Sequence, residues 1–356
     1  MAEKKRVGFM SIAVLFSIAT FSTFSISPPA DGATKLTMEQ IIAGSKKEGK
    51  ISWGTNLLEH EVVKLNAAFQ KEYPFVKEIK YSRARGGEAG ERVIAEMQAG
   101  TFTYDLIHIE EERTDRYKDL GFLIDPVDWK GLFNVEERMI QPAGFGVSVG
   151  NNTAGIIYSM RKVPKDRVPK KWSDCYDPYF KGKISVDVRP DHMISVWEGY
   201  GEEWTLDFAK KLKANDPRWI RGNSQATLLV AAGEVLISCP ASRGSWYRQW
   251  SRKKGFPVEF VFPEGPIVTG MDLLLSPMKG AGSPYTAILL TGWIASKGVT
   301  YLDTGRETIL HPGTKLGREL KASKREIKVQ SWDSIKTSEA RQQKILGLWG
   351  FPKPSK

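Results

Sequence analysis

Three arginines, Arg85, Arg189 and Arg243, stand just beyond segments whose composition predicts β-strands. A guanidinium group presents a planar fork of donors that binds carboxylate, sulfonate, phosphonate or phosphate groups through two hydrogen bonds. In open parallel sheets, ligands lie beyond the carboxyl ends of the strands, where loops and helix N-termini expose N–H groups. The three arginines therefore predict a site for a small anionic ligand.

The same rule, applied to the other predicted strands, gives the remaining candidate ligand-binding residues. They follow a strand, or lie at or in the helix after it: Thr55, Asn56, Gly86, Glu110, Glu111, Asn151, Asn223, Ser242 and Tyr247. Each also has a purely structural explanation, since asparagines are common helix caps and an acidic side chain can simply pair with a neighbouring arginine. We expect the arginines to hold the charge of the ligand and the hydroxyl and amide groups to orient it.

The chain alternates between β-rich runs and helical periods, which predicts right-handed crossover units and parallel sheets. In the first half, strands are predicted at 51–53, 76–82 and 104–110, and helices at 59–73, 88–98 and 113–120. Short strands at 145–149 and 155–159 flank a polar turn at 150–153, which suits a crossing between two lobes. A second set has strands at 183–188, 235–238 and 258–262, and helices at 202–213, 225–232 and 245–254. After another candidate crossing near Gly265 come a strand at 271–275 and an amphipathic helix at 285–295.

The first 33 residues have the order of an export signal. A short basic segment at 4–6 precedes an apolar run at 7–26, and two prolines and several small residues follow. This order predicts a signal peptide that is cleaved on export to the periplasm, with an uncleaved membrane anchor as the alternative. Cleavage leaves about 323 residues. A chain of this length usually forms more than one hydrophobic core, so we expect two lobes.

Composition and charge narrow the class of partner. The chain is 41% hydrophobic and carries a formal net charge of +11. A positive net charge favours binding to nucleic acid, to an anionic membrane or to a small anionic ligand. Because an exported protein rarely meets nucleic acid, we expect no nucleic-acid partner. The two cysteines, Cys175 and Cys239, are expected as separate buried thiols, with a disulfide as the alternative in an oxidising compartment. The four scattered histidines have no metal-binding spacing, so no metal or cofactor is predicted.

Six segments carry a resemblance to a known family. They are KKEGKISWGTN at 46–56, AAFQKEYP at 67–74, RGGEAGERVIAEMQAG at 85–100, YDLIHIE at 104–110, LLVAAGEVLIS at 228–238 and SPYTAILLTGWIASKG at 283–298. Their order and spacing behind a signal peptide resemble the extracellular solute-binding proteins of ATP-driven importers. This broad family contains ferric-ion, polyamine and related small-solute receptors.

The resemblance implies an α/β, two-lobed periplasmic-binding-protein fold (type II). In that fold each lobe is a mostly parallel sheet flanked by helices, and two crossing strands join the lobes. The implied domains are a signal peptide at 1–33, lobe 1 at 34–149 and 268–320, lobe 2 at 150–267, and a C-terminal helical or tail segment at 321–356. Such receptors close over a solute and hand it to a membrane permease. We therefore expect a monomeric binding protein that is not an enzyme.

One stretch departs from the ferric pattern. Ferric receptors of this family use neighbouring tyrosines at the start of a helix, and the matching stretch here is SRGSWY at 242–247. Only Tyr247 remains, beside Trp246, which argues against free ferric ion and leaves a ferric chelate open. The aromatic residues Trp246, Tyr247 and Trp250 either stack on an organic ligand or pack as core.

Three alternatives to an anion receptor stay open. The first is a metal receptor that uses Glu110, Glu111, His60 or Tyr247 as ligands. The second is an exported enzyme on the same fold with Asp187 or Glu110 as acid or base, although the chain has no nucleophile elbow, zinc-protease motif or phosphate-binding loop. The third is a signalling co-receptor that binds a ligand and feeds no transporter.

Overall fold

One mixed sheet of ten strands organises the computed structural model, which describes residues 36–83, 86–302, 305–306 and 308–351. The predicted signal peptide and Arg85 lie outside the described residues. The strands are β1 (Lys50–Thr55), β2 (Glu78–Arg83), β3 (Leu106–Ile109), β4 (Val147–Ser159), β5 (Ile184–Asp187), β6 (Arg218–Ile220), β7 (Ile237–Ser242), β8 (Val258–Val261), β9 (Ile267–Pro277) and β10 (Ile327–Val329).

The helices lie between these strands and at the C-terminal end of the described chain. They are α1 (Met38–Glu48), α2 (Glu59–Glu72), α3 (Gly86–Gln98), α4 (Thr114–Asp119), α5 (Trp129–Phe133), α6 (Asp191–Tyr200), α7 (Glu202–Ala214), α8 (Asn223–Ala232), α9 (Arg243–Trp250), α10 (Pro284–Ser296), α11 (Lys315–Ala322), α12 (Trp332–Lys336) and α13 (Ser338–Trp349). The regular alternation of strand and helix follows the predicted pattern from β1 to α4 and again from β5 to β8.

The strand order is β2-β1-β3-β9-β4-β7-β5-β6, with β8 paired to β4 and β10 paired to β9. Strand β1 is parallel to β2 and β3, and β5 is parallel to β6 and β7. Strands β9 and β4 run antiparallel to these sets and to each other. Two parallel sets joined by two antiparallel strands confirm the predicted fold class.

Strands β4 and β9 pass from one hydrophobic core to the other. Strand β4 places Val147 in a first core and Ile156 in a second, whereas β9 places Val268 in the second core and Leu275 in the first. We call the half built on β2-β1-β3-β9 lobe 1 and the half built on β4-β7-β5-β6 lobe 2. The chain therefore crosses between lobes inside two continuous strands. The residue boundaries predicted for the domains stay a prediction.

The polar turn predicted at 150–153 is wrong, because β4 continues through it. The backbone there pairs with β9, with Asn151 opposite Met271 and Thr153 opposite Thr269. The polar side chains find partners across the pair: Asn151 Nδ2 donates to the Gly270 carbonyl at 3.2 Å, and the hydroxyls of Thr153 and Thr269 lie 3.1 Å apart. Buried polar groups cost little when hydrogen-bonded, so the strand tolerates a turn-like sequence.

Helix α10 was predicted as amphipathic, and it is instead buried along nearly its whole length, from Thr286 to Ala295. Its hydroxyl groups are satisfied internally, since Thr291 donates to the Ala287 carbonyl at 2.8 Å and Thr286 donates to Glu48 at 2.7 Å. Packing against α1, α5 and the sheet surrounds it. The threonines that suggest a polar face in the sequence therefore lie inside lobe 1.

Cys175 and Cys239 form a disulfide with a Cα–Cα distance of 6.1 Å, so the expectation of two separate thiols is wrong. The two residues are 64 positions apart, and Cys239 lies in β7 while Cys175 lies in a short turn packed beside it. The disulfide therefore links the short turn that contains Cys175 to strand β7 of lobe 2. A disulfide persists in oxidising compartments, which agrees with the predicted export.

The C-terminal segment contacts both lobes. Helix α13 buries Ile345, Leu346 and Trp349 in the core of lobe 2, while β10 pairs with β9 and α12 contacts the segment 111–113 of lobe 1. Within the described ranges, no helix combines the length and the apolar character needed to cross a membrane.

Candidate ligand-binding cleft

Polar residues meet where the parallel strands of lobe 2 end. Strand β5 ends at Asp187, whose buried carboxylate is 5% exposed. Its Oδ1 accepts from Arg189 Nε at 3.2 Å, and its Oδ2 accepts from Arg189 Nη2 at 2.9 Å, from Gly222 N at 3.1 Å and from Asn223 Nδ2 at 3.0 Å. Gly222 has φ of 118°, which favours glycine and lets its N–H point at the carboxylate. Asp187 thus fixes both Arg189 and the start of α8.

The hydrogen-bonded chain continues from Asn223 toward the crossing strands. Asn223 Oδ1 accepts from Ser242 N at 3.1 Å, and Ser242 Oγ donates to Asn152 Oδ1 at 3.0 Å. We call Asp187, Arg189, Asn223 and Ser242 the lobe 2 polar cluster. Three of its members were predicted as ligand-binding residues, and the structure brings those three together.

Arg189 is the member of this cluster that remains accessible. Its side chain is 44% exposed, and its Nε and Nη2 face Asp187. Its Nη1 has no hydrogen-bond partner among the described residues. The hydrogen bonds that Arg189 donates to Asp187 raise the pKa of the guanidinium, so the group stays charged. An arginine held along one edge by a buried carboxylate presents its other edge to an incoming anion.

A cavity of about 300 Å³ lies beside the cluster, at the crossing strands. Its lining residues come from both lobes, from the crossing strands and from the C-terminal segment: Asn56, His108, Glu110, Glu111, Glu112, Asn152, Asp191, His192, Ile194, Ser195, Gly270, Met271, Asp272, Arg306, Gln330, Ile335, Ser338 and Gln342. The predicted residues Asn56, Glu110 and Glu111 are among them. The cavity is therefore placed where a two-lobed receptor would enclose a ligand.

A largely buried ion pair crosses one wall of this cavity. Arg306 Nη1 lies 3.0 Å from Asp272 Oδ2, and the two side chains are 15% and 14% exposed. Arg306 Nη2 also donates to Asn56 Oδ1 at 3.0 Å. Through these contacts Arg306 connects its own segment to the crossing strand β9 and to Asn56, which follows β1.

Burial controls the protonation of several groups in the cavity. It raises the pKa of Glu111 well above its usual range, and the charges of Asp272 and Glu112 add to this effect. Burial lowers the pKa of His108 to about 4, with a smaller lowering from Arg306, and it also lowers the pKa of His192. Both imidazoles are therefore neutral at pH 7.

His108 makes a pH-dependent contribution to stability that can be measured. Its pKa is about 4 in the folded state and roughly 6.5 when unfolded, so the unfolded state binds the proton first as pH falls. Between pH 7 and pH 4 the wild type should lose roughly 3 kcal/mol of unfolding free energy relative to His108→Gln, which cannot titrate there. Urea unfolding at several pH values checks this, and parallel pH profiles for the two proteins would contradict it.

Two predicted residues, Thr55 and Asn151, are placed away from an open ligand surface. Thr55 is buried at the end of β1, where its Oγ1 accepts from Leu57 N at 3.2 Å, and Gly86 is the first residue of α3. Asn151 is fully buried, and its Oδ1 accepts from Thr308 and Ile309. The polar turn had suggested an exposed Asn151, but alternation along β4 turns the neighbouring Asn152 toward the cavity instead.

Arg243 differs from the expectation of an exposed anion-binding arginine. It is buried at the start of α9, where Nη1 donates to the Gly305 carbonyl at 3.2 Å and the guanidinium lies 5.4 Å from the ring centroid of Tyr247. Tyr247 is buried too, and it packs with Trp246 and Trp250 at ring-centroid distances of 6.1 and 5.6 Å. Of the three predicted arginines, Arg189 is the one described with an accessible edge.

Sequence reasoning missed Asp272, Arg306, His108 and His192 as cavity residues. Asp272 and His108 lie within strands rather than beyond them, and Arg306 lies in a stretch without periodic pattern. His192 carried a usable signal, since it lies three residues after Arg189 in the first turn of α6. In the part of the chain that the structure describes, no group of three or more His, Cys, Asp or Glu side chains is arranged to hold a metal ion.

Residues 105–276 match the family model described as bacterial extracellular solute-binding protein. This segment is similar to that family. The match spans β3 to β9, which includes both crossing strands and the lobe 2 polar cluster. The resemblance inferred from the six sequence segments is therefore confirmed. The family is one of extracellular binding proteins.

The chain is also similar to individual proteins and solved structures. An uncharacterized protein of Haemophilus influenzae is 28% identical over 204 residues, which cover 50% of this chain and 54% of that protein. The Trichodesmium protein FutA, solved with iron and citrate, matches with a TM-score of 0.68 at 18% identity over 85% of this chain and 100% of its own. The apo ferric ion-binding protein A of Pasteurella haemolytica matches with a TM-score of 0.66 at 15% identity over 86% and 100%. These structures share the two-lobed fold.

Proposed function

We propose that this protein is a periplasmic substrate-binding receptor of an ABC-type importer. It captures a small anionic solute, such as an organic acid, a phosphonate or a ferric chelate, by closure of its two lobes and delivers it to a membrane permease. The family match over 105–276, the disulfide and the predicted signal peptide support export. The site performs binding and no reaction.

The position of Arg189 is the observation that supports an anionic ligand. It lies beyond the end of β5, half-exposed, with its Nε and Nη2 bound by a buried carboxylate. The long side chain is thereby ordered before the ligand arrives, which removes part of the entropy cost of binding. Helices α6, α8 and α9 also begin at this edge, so their N-terminal dipoles favour a negative group there.

Isothermal titration of the mature protein tests the proposal. We expect at least one member of a panel of organic acids, phosphonates and ferric citrate to bind, and we expect Arg189→Lys to weaken it by about 100-fold, because a lysine cannot reproduce the two-bond contact. Arg218→Lys, on an exposed pair with Glu234, is the matched control and should change little. Binding of a cation with no binding of any anion would overturn the proposal.

A ferric-ion receptor is the second candidate, because one similar structure is iron-bound and three others are named ferric-binding proteins. In this chain the helix start that corresponds to the tyrosine pair holds the buried Arg243, and Tyr247 packs against other aromatic rings. Elemental analysis of protein purified without chelator distinguishes the two candidates. One iron per chain in the absence of any organic anion would favour the ferric-ion receptor.

A further inference from the structure

The cavity beside the lobe 2 polar cluster has an acidic wall. Carboxylates of Glu110, Glu111, Glu112, Asp191 and Asp272 line it, against the single lining guanidinium of Arg306 among the described residues. Glu110 pairs with Arg113 and Asp272 pairs with Arg306. The other three make no ion pair within the described ranges. Burial and neighbouring carboxylates raise the pKa of Glu111 and of Glu112, so a cation bound beside them would stabilise their ionised forms.

His192 gives an independent sign that this cavity holds a ligand. Its side chain lines the cavity at 5% exposure, and its ring has no hydrogen-bond partner among the described residues. Oε1 of Glu111 is likewise buried without a partner. A buried polar atom without a partner costs free energy, so an incoming donor would stabilise the Glu111 oxygen and would also give a ring nitrogen of His192 a partner.

Arg189 lies two and three positions before Asp191 and His192, which line the cavity. The charges of Arg189, Asp187 and Asp272 all act on His192. Asn152 lines the cavity and also accepts the hydrogen bond from Ser242 of the lobe 2 polar cluster. We therefore expect a solute anchored at Arg189 to extend toward the acidic wall.

We propose that the acidic wall is a subsite for an ammonium group, so that the solute carries a negatively charged group and a protonated amine on one small molecule. This inference rests on the proposed function and specifies its substrate class. Arg189 holds the anionic end, while Glu111 and Asp191 face the ammonium and His192 Nδ1 or Nε2 accepts one of its protons in a hydrogen bond. An ammonium offers three donors, which matches these acceptors.

Isothermal titration with matched pairs of probes tests this inference. The two compounds of each pair differ only in that one has an amine where the other has a hydroxyl group. The pairs are taurine and isethionate, 2-aminoethylphosphonate and 2-hydroxyethylphosphonate, and 4-aminobutyrate and 4-hydroxybutyrate. For the pair that fits the cleft, we expect the amine to bind at least about tenfold more tightly, and we expect Glu111→Gln to reduce this ratio below about threefold. Asp191→Asn, at an exposed position, should reduce the ratio as well, and Glu137→Gln, on a remote surface pair, should leave it unchanged.

The outcomes separate this inference from the proposed function. If Arg189-dependent binding is found and the hydroxyl compound binds as well as its amine, the ammonium subsite is wrong and the anion receptor stands. A ratio that survives both Glu111→Gln and Asp191→Asn also overturns the subsite. If no anion in the panel binds, the proposed function itself fails.

Discussion

Asp272→Ala is expected to lower the free energy of unfolding by about 3 kcal/mol, because it leaves the Arg306 guanidinium largely buried without its carboxylate. Removing one member of a buried ion pair costs much more than the pair contributes, since the remaining charge must be desolvated alone. Arg306 keeps its hydrogen bond to Asn56, which prevents a still larger loss. Urea unfolding at pH 7 measures the effect.

Two further variants show whether this loss of stability comes from the Arg306 charge that has lost its carboxylate partner. The double change Asp272→Leu with Arg306→Met removes both charges and should recover a large part of the lost stability. Asp207→Ala breaks the exposed pair with Lys211 and should change stability by less than about 0.5 kcal/mol. An Asp272→Ala protein as stable as the Asp207→Ala protein would show that the pair is not buried as described.

Asp187→Asn is expected to weaken anion binding by about 30-fold. The carboxylate accepts from Arg189, Gly222 and Asn223, and an amide in its place turns one acceptor into a donor that faces other donors. Arg189 then loses the partner that orders it. Affinity for the best anion of the panel, measured together with thermal stability, separates positioning from general loss of fold.

The matched control for this change is Asp177→Asn, whose carboxylate caps the turn at Tyr179 away from the cluster. It should reduce stability modestly and leave affinity unchanged. The opposite result is also informative: removal of a negative charge strengthens attraction for anions, so tighter binding by Asp187→Asn would mean that Asp187 does not position Arg189.

Local patterns predicted much of the fold, because periods of 2 and 3.6 residues report burial on one face. These predictions failed where residues distant in sequence determine the local structure. The sequence around Asn151 resembles a turn, yet Gly270, 119 residues away, accepts its hydrogen bond and keeps β4 continuous. Strand β7 was expected to end at Ser238, but it runs to Ser242 through Pro240, since β4 pairs with it beyond the proline.

The site was partly predictable for the same reason. The rule that ligands lie beyond strand ends correctly grouped Arg189, Asn223 and Ser242, which depend only on where strands end. Arg306 and Asp272 could not be found in this way, because their proximity depends on how a loop folds back over β9. Arg243 follows a strand end as Arg189 does, but it is buried and contacts Gly305, which is distant in sequence, and Tyr247, which is not identifiable as its partner from the sequence.

Native mass spectrometry of the protein, purified from the periplasm without dialysis or chelator, tests the central claim most directly. We expect a bound small molecule whose mass corresponds to an organic anion or zwitterion, present in the wild type and absent from Arg189→Lys. The same bound mass in both proteins, or the mass of a bare iron ion in place of an organic molecule, would contradict an anion receptor built on Arg189.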